Sequence, residues 1–305
     1  MQVFLVLLLK ILPLYALIIL GYLAGKKLKA KKETIASILI YVITPVVIFN
    51  SVYKTKLTPE LLLLPVIFFI LCCSISMFFY FSCSGIFKDS TRNILAFAAG
   101  TANTGYFGIP VAIELFGEEL IGIFILGIMG FVFFENSLGF FITARGNHTV
   151  DEALRRLFKL PTIYAFLAGL LFNFLNIDLG HGFNSFSSHF IGCYAVLGMM
   201  LIGLGLSDMK EFTFDFKFLA ATFLAKFVVW PLLVVGLIFF DSQFFHLFNS
   251  AVYKASFLIS IVPLAANTVA FATELKAQPE KASMAVFLST VFGLFYIPIL
   301  CSFFI

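Results

Sequence analysis

Apolar runs of about twenty residues, the length that carries a helix across a hydrocarbon core, recur along this chain with short polar connections between them. On that ruler the pattern predicts ten spans, at roughly 2–25, 34–52, 61–84, 92–116, 119–143, 160–176, 187–206, 217–240, 251–273 and 283–304. The longest connection runs from Arg145 to Lys159. It holds Asp151-Glu-Ala-Leu-Arg-Arg-Leu157, which suits an interfacial helix between two five-span halves. The fourth span breaks the apolar pattern at its middle. There Gly100-Thr-Ala-Asn-Thr-Gly-Tyr-Phe-Gly-Ile-Pro110 places three glycines, two threonines, an asparagine and a proline. Glycine and proline are poor helix formers, and backbone groups freed in lipid find no water. The theme returns at Val262-Pro-Leu-Ala-Ala-Asn-Thr-Val-Ala270, where Ala266-Asn267-Thr268 echoes Ala102-Asn103-Thr104. Two interrupted spans at corresponding positions of two halves mark a secondary transporter with a midplane site.

Composition agrees. Hydrophobic residues make up 61% of the chain and charged ones 12%, about half the charge of a soluble domain. The chain therefore reads as an all-α integral membrane protein, and its net charge of +4 as topology, with no nucleic-acid partner. The odd-numbered connections hold fifteen lysines and arginines, the even-numbered ones only Lys54 and Lys56. By the positive-inside rule the odd connections are cytoplasmic and both termini lie outside. Five spans per half then make the second half run inverted to the first. The N-terminal run lacks a basic stretch before it and reads as a first span rather than a cleaved signal. Cys72, Cys73, Cys83, Cys193 and Cys301 all fall in apolar runs with neither zinc nor disulfide spacing, and read as small buried hydrophobes. No metal or cofactor is called for. Pro45 and Pro231, inside the second and eighth spans, are expected to kink them.

The stretch Asn103-Thr-Gly-Tyr-Phe-Gly-Ile-Pro-Val-Ala-Ile-Glu-Leu-Phe-Gly117 resembles the fourth-span signature of the auxin efflux carrier family of membrane permeases. The distal half is similar too, through Val262-Pro-Leu-Ala-Ala-Asn267 and Ala285-Val-Phe-Leu-Ser-Thr-Val291, with Pro45, Lys226 and Trp230-Pro231 also matching. The resemblance implies ten spans, both termini outside, crossed fourth and ninth helices, organic-anion export and a homodimer contact. It also implies a wider kinship with bile-acid and sodium symporters. The long cytoplasmic loop of the plant hormone carriers is missing, so the resemblance does not extend to auxin itself.

Asn103 and Asn267, with Thr104, Gly105 and Thr268, are the candidate substrate contacts, because an amide at an unwound crossing can donate to a carboxylate and half-helix N-termini add partial positive charge. The alternative is that each asparagine only caps its own half-helix. Gly100, Gly108, Pro110 and Pro263 are expected to set where the helices break. Glu135 and Lys226 sit roughly 12 Å inside their spans at 1.5 Å per residue. Charges so deep face a cavity or a partner. They are candidates for a pair, a coupling group or a vestibule charge, against a neutral acid and a snorkelling stem as the plain readings. Lys10, Glu114 and Lys254, nearer span ends, read as snorkelling.

An intramembrane enzyme would need a mid-span aspartate pair, zinc ligands or a Ser/His set. The four histidines fall in connections or at span ends, and the enzyme reading is set aside. A cation carrier favours carboxylates at the crossing, where this chain has asparagines. The expected function is a bacterial-type inner-membrane permease for a small organic anion, a carboxylate, working by alternating access. Coupling to a proton or to sodium, or a non-transporting sensor on the same scaffold, stays open. Residues 1–143 and 160–305 form the two repeats around a linker, 144–159. Spans three to five and eight to ten would move against a scaffold of spans one, two, six and seven.

Overall fold

The computed structural model describes residues 2–54, 63–207 and 214–304, and every regular element among them is helical. The first part of the chain holds α1 (Gln2–Leu28), α2 (Lys32–Ile38), a π turn at Leu39–Ile43, α3 (Thr44–Lys54), α4 (Leu63–Ser82) and α5 (Thr91–Gly100). After a break come a π turn at Thr104–Gly108, α6 (Ile109–Phe134), a π turn at Glu135–Gly139 and α7 (Phe140–Ala144). Then follow α8 (Val150–Phe158), α9 (Pro161–Phe174) and α10 (Gly180–Ser207). α11 (Phe216–Leu224) and α12 (Trp230–Phe240) flank a π turn at Ala225–Val229, and another follows at Asp241–Phe245. α13 (Ser250–Ile261), a second break, α14 (Asn267–Glu274) and α15 (Pro279–Phe304) complete the chain.

Among the described residues six helices are long and apolar enough to cross a membrane, or seven if α8 and α9, bent by 45° at their junction, count as one. The chain is thus an all-α, multi-pass membrane protein. The remaining expected spans fall on α1 and on the interrupted stretches, of which α5, α13 and α14 are too short to cross alone. The expected boundary at 117–118 carries no helix break, and α6 runs through it. Gly117 is the one poor helix former there, and the Glu118-Glu119-Leu120 that follows is helix-favouring sequence.

Three prolines expected to kink or break helices do something subtler. Pro45, Pro110 and Pro231 each follow by two residues the end of a π turn, at Leu39–Ile43, Thr104–Gly108 and Ala225–Val229. A proline lacks the N–H for its i−4 carbonyl and its ring presses on that carbonyl; widening the preceding turn accommodates both. Pro110 therefore sits in the first turn of α6 and does not mark the break, which lies upstream at residues 101–103.

Packing divides along recognisable lines. α1 lies along α10 and α3 along α9, while α4 packs on α5 and α6, and α6 on α13. The α1–α10 contact is a backbone approach, since a Cβ on Gly203 would overlap the Ile18 carbonyl. Of the cysteines, Cys72, Cys83 and Cys301 are buried as expected, Cys73 is half-buried, and Cys193 faces outward. The Lys254 side chain is half-buried; those of Lys10 and Glu114 lie outside the described residues.

The odd-numbered connections meet on one face. Lys281 pairs with Asp215 at 3.0 Å and donates to Thr91 Oγ1, Gln278 donates to Asp89, and the Asn147 amide donates to the carbonyls of Leu275 and Lys276. Partial burial works to raise the Asp215 carboxyl, but the Phe218 amide and the Lys281 hydrogen bond and charge outweigh it and hold it below its ordinary value. Two even-numbered connections meet at the opposite end. There Asn173 donates to the carbonyls of Val52 and Tyr53, and the Leu179 amide to the Tyr53 hydroxyl. The interfacial helix forms as α8, closed by a capping box between Thr149 and Glu152. Such reciprocal capping is worth about 1 kcal/mol. A cavity of about 590 Å³ lined by Asp151, Leu154, Arg155, Phe158 and Lys159 lies on this helix and includes no residue of either break.

Candidate functional site

The two breaks meet, and the contact begins in the backbone. The Asn103 amide N–H donates to the Pro263 carbonyl at 2.8 Å. Proline has no N–H of its own, so its carbonyl is the group that must find a partner, and the other break supplies it. At the first break α5 ends at Gly100, Thr101 turns extended, and the chain re-enters helix at Thr104. A Cβ on Gly100 would come within 2.6 Å of the Phe134 ring and 2.8 Å of the Cys72 carbonyl, so glycine lets α5 end against α4 and α6. At the second break α13 ends at Ile261, and the next helix starts at Asn267.

Neither asparagine caps its helix. Asn103 stands at the N-cap position with no side-chain cap bond. Asn267 is already the first residue of α14, behind Ala266. Their side chains are therefore committed elsewhere. Asn103, 2% exposed, turns its amide nitrogen toward Met199 of α10 at 4.0 Å and leaves its buried oxygen without a partner. The Asn267 amide donates to Glu135 Oε2 at 2.7 Å and to the Tyr194 hydroxyl at 3.2 Å. Thr268 is buried with its hydroxyl unpartnered, Thr104 is buried, and Gly105 opens toward the Tyr194 ring at 3.9 Å. Pro263 packs near Gly293 of α15. At Gly108 a Cβ would stand 2.9 Å from the Phe124 ring.

Glu135 is the residue the sequence did not place. The expected crossing held asparagines and no carboxylate; in the structure the Glu135 carboxyl lies there, 5% exposed. Thr101 Oγ1 of the first break donates to its Oε1, and Asn267 of the second to its Oε2. A π turn starting at Glu135 sets the face it presents. No pattern flags this, because the acid lies 32 residues beyond Asn103 in an ordinary apolar span. A deep charge within a span was the signal available.

Lys226 is not Glu135's ion-pair partner among the described residues. Its side chain is 0% exposed, with Nζ 4.9 Å over the Trp230 ring and 5.9 Å over Phe131, and that nitrogen has no hydrogen-bond partner. Snorkelling is thus ruled out in favour of an aromatic seat. Trp230 stacks on Phe131 at 5.0 Å and its indole N–H donates to the Ala99 carbonyl at 2.7 Å, so this seat rests on the last turn of α5.

Two interrupted helices with amide, hydroxyl and carboxyl groups buried where they meet, inside a multi-pass helical chain, are the build of a membrane transporter. The resemblance to the auxin efflux carrier type holds: residues 6–151 match the family described as Membrane transport protein, and residues 190–305 match the Sodium Bile acid symporter family. The first break falls within one match and the second within the other. A relative named "Uncharacterized transporter" from Methanothermobacter thermautotrophicus is 25% identical over 302 residues, 95% of each chain. A second so named, from Methanocaldococcus jannaschii, is 27% identical over 301 residues, covering 94% of this chain and 95% of that one.

Proposed function

We propose that the chain is a secondary permease for a small organic anion, a carboxylate, bound at the crossing and carried by alternating access. The observation that carries this reading is the 2.8 Å bond from Asn103 to Pro263. It makes one site of two breaks, with helix starts at Thr104 and Asn267 adding partial positive charge. Asn103, Thr104, Gly105, Asn267 and Thr268 are the proposed contacts, and the buried orphan oxygens of Asn103 and Thr268 mark groups that a ligand or its water would satisfy. No lysine or arginine lies in 99–109 or 262–269, so amides and helix ends meet the anion. Such contacts are worth roughly 0.3–2 kcal/mol each, which fits a micromolar-to-millimolar ligand that can leave again.

The architecture proposed with it is two inverted repeats, 1–143 and 160–305, around the linker 144–159, with the expected fourth and fifth spans joined through α6. α4–α7 and α11–α15 form the moving part, and α1–α3, α9 and α10 a scaffold that also makes a homodimer contact. The pairing of α1 with α10 and α3 with α9 supports that division. The meeting of the odd connections on one face, together with their excess of lysine and arginine, supports a bacterial inner-membrane orientation with both termini outside. Glu135 and Lys226 are the proposed coupling or vestibule charges.

A second reading, a cation-coupled symporter on the same scaffold, is favoured by the carboxyl at the crossing and the sodium symporter match. Thermal-shift screening over mono- and dicarboxylates, with and without sodium, followed by flux of the hits into proteoliposomes, tests both. Stabilisation by amines alone, or by no carboxylate at all, would remove the anion reading.

A further inference from the structure

In the observed conformation the Asn267 amide, proposed above to hold the substrate carboxylate, is already holding a carboxylate of the protein's own. Glu135 Oε2 takes the amide at 2.7 Å while Thr101 holds Oε1, so one acid ties both breaks together. Two ionised carboxylates cannot share one amide in a buried site, because like charges close together in a low dielectric repel by several kcal/mol. We propose that Glu135 is a proton carrier, and that protonating it frees the Asn267 amide for the substrate anion, so that proton and anion cross together. This rests on the reading of the crossing as the anion site and names its coupling ion.

The step forms one O–H bond on Glu135, the proton coming from water on the open side, and breaks the same bond on the other side. Nothing is oxidised or reduced. The neutral acid keeps a partner, since its O–H can donate to the Thr101 hydroxyl, which both donates and accepts. The amide loses only a charged acceptor. For a monoanion the proton and its cargo together move no net charge across the bilayer. The loaded crossing bears the same single negative charge as the empty one with Glu135 ionised, whereas the anion without the proton would place two negative charges there.

The surroundings suit a group that changes charge alone. The π turn that begins at Glu135 packs against α4, α5, α6 and α7. From α4, Cys72 lies within electrostatic reach of both Glu135 and Lys226. From α10, Tyr194 meets the same amide as Glu135. Arg92, at the far end of α5, is engaged with Tyr80, and α7 carries no titratable residue. Glu274 of α14 is engaged with Ser37 and Tyr41. Lys226 sits on its aromatic seat over Trp230 and Phe131 and makes no ion pair with Glu135.

The molecule also holds its own reporter. Trp230 is the single tryptophan. It touches Phe131, one turn before Glu135, and the Ala99 carbonyl, two residues before Thr101. In phosphatidylcholine vesicles without substrate, its emission should follow a single pH transition. That transition should vanish in Glu135→Gln and persist in Lys226→Gln. In Thr101→Val, which keeps the acid but removes one donor, it should survive with a displaced midpoint, and this keeps the test open should Glu135→Gln fail to fold. A flat wild-type titration, or a transition that survives Glu135→Gln, overturns the proposal. So does one lost in Lys226→Gln and kept in Glu135→Gln, which would place the proton on the amine. An emission change driven by sodium at fixed pH and abolished by Glu135→Gln overturns it in favour of a metal cation. Titration without flux of any carboxylate would sink the transport reading alone; flux without titration would sink only this one.

Discussion

The two breaks carry the same three residues, Ala-Asn-Thr, and use them differently. At the first, Asn103 stands outside the helix; its backbone reaches Pro263, and its side-chain oxygen is buried and unpartnered. At the second, Asn267 is inside the helix, half-buried, and its amide serves Glu135 and Tyr194. A shift of one position relative to the helix start exchanges a backbone role for a side-chain role. Sequence symmetry therefore does not imply chemical symmetry.

The largest expected effect separates the asparagines. Asn267→Ala strips a charge-assisted hydrogen bond from Glu135, a loss of about 1.5–3 kcal/mol, and should abolish flux and lower the thermal midpoint together. Asn103→Ala leaves the bond to Pro263 intact and deletes an orphan polar group. It should cut flux while leaving thermal stability unchanged or higher, the pattern of a group kept for function. Wild-type flux in Asn103→Ala would confine the substrate contacts to the second break.

Next comes the steric contrast along the first break. Gly100→Ala drives a methyl into Phe134 and the Cys72 carbonyl and should cost about 1–3 kcal/mol. Gly105→Ala has its nearest neighbour at 3.9 Å and should be nearly neutral in stability. If it still reduces substrate affinity, Gly105 lines the site; melting curves and binding on the same preparations tell the two apart.

How much of this was legible beforehand follows the range of the interactions. Both breaks could be read, because glycine, proline and asparagine in an apolar span act on their own backbone. The carboxyl at the crossing could not, because Glu135 gets there through the packing of α6 and α7 on α5. Nor could the π turns ahead of Pro45, Pro110 and Pro231, since a proline that ends a helix and one that widens it look alike in sequence. The unbroken helix at 117–118 has a local cause of its own: span length alone sets a boundary there, whereas Glu118-Glu119 favours helix.

The smallest effect lies far from the crossing and calibrates the others. Asp215 caps α11 through the Phe218 amide and pairs with Lys281. Because its carboxyl is held below the ordinary value when folded, its contribution is present at neutral pH and lost as pH falls through the folded value. Asp215→Asn keeps a capping oxygen and removes only the charge, so it should cost about 0.2–1 kcal/mol near neutrality, a gap that closes in acid. A gap that stays constant with pH would mean the carboxylate charge is not what stabilises that end of α11.

The bond from Asn103 to Pro263 has a consequence for how such a carrier diversifies. It joins two main chains, so among substitutions at residue 103 only proline removes its donor, and side chains around it can change without deleting it. Cargo preference can then drift by exchange of the amide, hydroxyl and carboxyl groups while the geometry of carriage is inherited unchanged.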